Sequence, residues 1–98
     1  MEVKTTGVSE ISILGHIKSI EDYHDIKVSV RDLIGKGNNS ITINVPESLS
    51  MTSSVIGFLL KLVYIDKVDI AMRVRDERLY DLLDILNLIT AFNVTKMK

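Results

Sequence analysis

Three consecutive hydroxyl residues, Thr52-Ser53-Ser54, stand directly before the apolar run Val55-Ile56-Gly57-Phe58-Leu59-Leu60. Hydroxyls at the head of such a run mark the start of a helix, because a side-chain oxygen can accept from one of the free first-turn N–H groups. The same place gathers unsatisfied donors and a partial positive charge, so a phosphate added there is electrostatically supported. Spacing alone fits both roles, a helix cap and an acceptor for a reversible charge, and the cap is the simpler of the two.

Enzyme chemistry finds little else to use. The two histidines, His16 and His24, stand alone, and an isolated histidine is more often a surface or packing residue than a base. With no cysteine in the chain, disulfides and thiolate metal sites are excluded. Gly35-Lys36-Gly37-Asn38 has the flavour of a phosphate loop but lacks the longer glycine frame and the Lys followed by Ser or Thr, so it reads as a helix stop. Asp76, Glu77, Asp81 and Asp84 read as a cap and the solvated face of a helix, not as an acid–base pair. No enzyme, no cofactor and no metal are expected.

Twelve Lys and Arg stand against 13 Asp and Glu, a formal net charge of −1, and no basic run appears. That balance points away from nucleic acid as a partner. The longest apolar stretch, Val55 to Ile65, is interrupted by Gly57 and Lys61 and is too short to span a bilayer. Met1 to Ser9 lacks the apolar core of a signal peptide. A cytoplasmic protein without direct membrane insertion is the expectation, folded as a single domain over residues 1–98.

Alternation predicts a strand over Glu10 to Ile17, with Ile11, Ile13 and Ile17 on one side, and a preceding strand over Glu2 to Thr6 joined through Gly7, Val8 and Ser9. Ser19 and Asp22 have the spacing of a capping box. The helix behind them carries Tyr23, Ile26, Val30, Leu33 and Ile34 as its apolar stripe, and Gly35, Gly37, Asn38 and Asn39 end it. Ile41, Ile43 and Val45 form the next strand, stopped by Pro46. The helix from Thr52-Ser53-Ser54 is expected to seat Ile56, Leu59, Leu60 and Val63 in the core. Ile70, Met72 and Val74 make a strand, Asp76 caps a third helix bearing Leu79, Leu82, Leu83 and Leu86, and Asn87 ends it in left-handed geometry. Phe92 and Val94 suggest a last short strand. Strands alternating with one-sided helices predict an α/β fold, a small mixed sheet with helices packed on it.

The segment Thr52-Ser53-Ser54-Val55-Ile56-Gly57 resembles, without a gap, the central Asp-Ser-Ser-Gly-Leu-Gly motif of STAS domains, the family of anti-sigma factor antagonists. Asn44 lies where that family's strand often carries Asp or Asn. Leu14-Gly15-His16-Ile17 is similar to the family's early Gly-Glu-Leu turn, and Leu86-Asn87-Leu88 to the Ser-Gly-Leu end of its last major helix. The resemblance implies a STAS-like domain that works as a partner-switching regulator. Unmodified, it would bind an anti-sigma factor or related serine kinase; that kinase would phosphorylate Ser53, and a PP2C-type phosphatase would reverse the step. Thr52 replaces the family's aspartate and Val55 its first glycine. Those departures leave room for an alternative, a STAS scaffold or accessory subunit of a transport or signalling complex that carries no phosphate.

A second apolar row on the same helix, Val55, Phe58 and Leu62, lies off the expected core line. With Thr52 and Ser54 it is the expected partner-binding surface, and Phe58 its aromatic anchor, one turn from Ser53.

Overall fold

The computed structural model describes residues 1–97. Its elements follow the expected order: β1 (Glu2–Gly7), β2 (Glu10–Leu14), α1 (Ile20–Gly35), β3 (Ser40–Val45), α2 (Ser53–Tyr64), β4 (Asp69–Val74), α3 (Glu77–Ile85) and β5 (Thr95–Lys96). The strands form one mixed sheet in the order β1-β2-β3-β4-β5, antiparallel between β1 and β2 and parallel thereafter. The result is a small α/β domain with three helices and a five-stranded sheet.

Crossovers between parallel neighbours are right-handed as a rule, and three in succession, each stepping the same way along the sheet, put all three helices on one face. Burial follows that geometry. Ile11, Ile43 and Met72 are register partners, as are Ile41 with Ile70 and Val45 with Val74. All are buried beneath the helices. The alternate residues face the other way, and there Lys4, Ser12, Asn44, Arg73 and Thr95 form one polar row across all five strands.

Local signals set the helix ends. Ser19 Oγ accepts from the Asp22 amide at 3.1 Å, while the Asp22 carboxylate accepts from the amides of Lys18 and Ser19 at 2.8 and 3.1 Å. The Lys18 amide, with smaller help from Ser19, holds that carboxyl below the usual carboxylate range. At the far end the Asn38 side chain donates to the Leu33 carbonyl at 2.8 Å, closing α1. Asn87 adopts φ +60° after α3, and the Asn87 and Leu88 amides donate to the carbonyls of Asp84 and Leu83. That is the left-handed stop expected there, with Leu88 turned back into the core.

Four expectations need correction, the first being Leu86, expected on the apolar stripe of α3 but exposed at its C-cap. β2 stops at Leu14 rather than Ile17, because Gly15 takes φ +84° and its amide donates to Glu47 Oε1 at 2.7 Å. The last ladder forms at Thr95–Lys96, whereas Phe92 and Val94 are buried in the turn before it. On α2 the buried residues are Val55, Phe58, Leu59 and Leu62, while Ile56, Leu60 and Val63 are only partly covered. The row Val55, Phe58, Leu62, expected at the surface, therefore belongs to the core. The reason lies in the topology: α2 is the middle helix, so one flank faces α1 while its underside faces the sheet. The Phe58 ring meets that of Tyr23 on α1 edge-on, with centroids 6.3 Å apart.

Candidate functional site

The N-terminus of α2 is fixed by its approach loop. Ser48 is fully buried; its hydroxyl accepts from the Ile17 amide at 3.1 Å and donates to the Ser50 carbonyl at 2.7 Å. Together with the Glu47–Gly15 bond, this ties the loop after β3 to the loop after β2. Met51 then plugs into the core. Thr52 is thereby delivered to the cap position with extended backbone (φ −75°, ψ 155°), and its Oγ1 accepts from the Val55 amide at 3.4 Å. That distance lies beyond the usual N–H···O range, so the cap is a weak one.

Because Thr52 does the capping, Ser53 and Ser54 are left with exposed side chains at the first two positions of α2. Backbone amides in a helix's first turn have no intrahelical acceptor and point outward past such side chains. Val55 is fully buried, so the residue that replaces the motif's first glycine points inward and does not obstruct approach to Ser53. Of the expected partner-binding residues, Ser54 is exposed and Thr52 partly so, but Val55, Phe58 and Leu62 are not available on the surface.

Ser53 and Ser54 open onto a groove of about 350 Å³ between α1 and α2. Tyr23, Lys27 and Arg31, spaced four apart, form its α1 wall, and Gly57, Phe58 and Lys61 line it from α2. Lys27 Nζ sits 5.7 Å from the centre of the Tyr23 ring, and the Arg31 guanidinium 5.9 Å from that of Phe58. Among the described residues none of these three cations has an acidic partner; the ion pairs are Lys36–Asp32, Arg78–Asp76 and Lys96–Glu77. An anionic group on either serine would thus enter a positive field.

The basic wall escaped the sequence reading. Its one local trace is the Tyr23, Lys27, Arg31 spacing on α1, and nothing in the sequence says that this row faces α2. His16 and His24 are both exposed and neither lines the groove, although the His24 ring lies 5.3 Å from that of Tyr23 on its wall. Among the described residues no cluster of three or more His, Asp or Glu converges as metal ligands, and no helix is long and apolar enough to cross a membrane. No family model matches the chain, and no curated protein or solved structure matches it either.

Proposed function

We propose that this domain is a STAS-like partner-switching module controlled by phosphate on Ser53. The observation that carries the reading is the division of labour at the head of α2. Thr52 caps the helix, which leaves the Ser53 hydroxyl exposed, dispensable to the fold and beside Lys27, Arg31 and Lys61. Further support comes from the mixed sheet and from an α2 that opens on Thr52-Ser53-Ser54 after the β3 loop, the arrangement implied by the resemblance.

In this reading the unmodified domain binds an anti-sigma factor or related serine kinase through the exposed rim of α2, and the domain is substrate and ligand rather than enzyme. Phosphorylation moves the γ-phosphoryl of the kinase's ATP to Ser53 Oγ, releasing ADP and the hydroxyl proton. A PP2C-type phosphatase returns the hydroxyl by hydrolysis. The added group carries nearly two negative charges, which changes the field of the groove and the fit of anything packed against it. The neutral Thr52, in place of an acid beside the acceptor, favours a second reading in which the same surface serves a scaffold that is never modified.

Intact mass of the protein from its native host separates the two. A population one phosphate heavier, mapped to Ser53 and abolished in Ser53→Ala, is the expected result. A single unmodified mass under all growth conditions would leave the scaffold reading.

A further inference from the structure

Charge is unevenly spread over this molecule. The chain carries a formal net charge of −1, yet the groove between α1 and α2 is walled by cations along its length. Lys27, Arg31 and Lys61 line its middle. Past Tyr23 and Ser54 it continues to Lys18, and past Arg31 and Lys61 to Asp66, the one acid on its walls. Cations gathered without counter-charges repel one another and work against the fold. Asp66 aside, no acid lines the groove, and among the described residues none of Lys27, Arg31 and Lys61 forms an ion pair.

Gly57 supplies a second, independent observation. It lies in the interior of α2, where glycine is a poor helix former. Its φ is not positive, and a Cβ built on it meets nothing within 4 Å. The fold itself gives no reason for a glycine there. What it does provide is bare backbone on the groove floor, where an outside chain can approach closely.

We infer that this groove is the docking site for a short acidic peptide segment of a partner protein, its carboxylates paired with Lys27, Arg31 and Lys61 and its backbone passing over Gly57. The inference rests on the switch reading only in that both use the exposed rim of α2; the docking itself needs no phosphate. The 16 residues of α1 span about 24 Å at ~1.5 Å per residue. That length takes about seven residues of extended peptide. A longer or extended polyanion fits less well: a nucleic acid or an anionic membrane reaches past the groove and meets a surface that is net acidic.

The test uses ¹⁵N-labelled, unmodified protein titrated with acetylated heptaglutamate amide at low salt, with heptalysine as control. Progressive amide shifts are expected along Tyr23 to Arg31 and Ser53 to Lys61, and they should collapse as salt rises. Lys27→Glu combined with Lys61→Glu should weaken binding by roughly tenfold or more. Lys61 is exposed and Lys27 partly so, and a dispersed spectrum confirms that the double variant folds. Gly57→Leu, which adds a better helix former and fills the floor, should abolish the shifts while keeping or raising the melting temperature. Absence of shifts, shifts confined to the open sheet face around Lys4 and Arg73, or full binding by the double variant would each overturn the proposal. So would cosedimentation with phosphatidylserine vesicles in place of peptide binding. Failure of the peptide leaves phosphate incorporation at Ser53 standing, and failure of incorporation leaves the groove standing.

Discussion

Asn44 Nδ2 donates to Glu10 Oε2 at 2.9 Å across the β2–β3 ladder, on the sheet face that no helix covers. A carboxylate only accepts, so this bond fixes which way the amide points. The same nitrogen reaches Ser12 Oγ at 3.2 Å, and Thr6 Oγ1 closes the cluster by donating to Glu10 Oε2 at 2.8 Å. Oδ1 is then turned into a buried position without a partner among the described residues. Asn44→Asp replaces the donor with a second carboxylate against Glu10. Two ionised carboxylates in contact repel, so the variant's deficit is greatest at neutral pH and shrinks as acid protonates them. Urea denaturation at pH 7 should show a loss of about 1–3 kcal/mol. A deficit independent of pH would mean that the Glu10 contact is not what the amide serves.

Ser48→Ala tests the tether of α2. The variant strips the buried Ile17 amide of its acceptor and the part-buried Ser50 carbonyl of its donor. A buried group left unsatisfied costs about 1–3 kcal/mol. The loss should be accompanied by faster hydrogen exchange at Val55 and Ile56, the first amides of α2 with acceptors. Lower stability with unchanged exchange there would place the cost in α1's approach instead.

Phe58→Ala should lower stability by about 3 kcal/mol or more, the usual toll for emptying a large aromatic from a core. Phe58 is 6% exposed and sits edge-on to Tyr23. A melting temperature within a degree or two of the parent would show that its ring contributes little to the α1–α2 packing.

Phe58 also marks where sequence reasoning stops. The Ser19–Asp22 box and the Asn87 stop were legible because each is decided within a few residues of itself. The β3 and β4 strands were legible because alternation names the buried face without help. On α2, however, apolar residues occupy both candidate rows, so periodicity identifies a helix but cannot orient it. The orientation comes from α1 and the sheet closing on it. Lys27, Arg31 and Lys61 were hidden for the same reason: a basic groove made by two helices exists only once they pack. The place before an apolar run marked Thr52, Ser53 and Ser54 together, and only the resemblance picked out Ser53; that Thr52 alone would take the cap could not be read from either.

Gly57→Ala separates fold from function on α2 most cleanly. A helix-interior glycine lowers stability by about 0.5–1 kcal/mol relative to alanine when nothing requires it. Here the added methyl meets no atom within 4 Å and the backbone is not left-handed. The variant should therefore melt about 2–8 °C higher, given the entropy of unfolding of a domain this small. Within the same experiment, the methyl narrows the groove floor between Lys27 and Lys61, so binding of an acidic peptide should weaken as stability rises. That opposition is diagnostic, since a residue kept only for structure does not improve the fold and impair the ligand together. An unchanged or lower melting temperature would mean that α2 needs the glycine for its own path over the sheet, and the open floor would then have no bearing on what binds there.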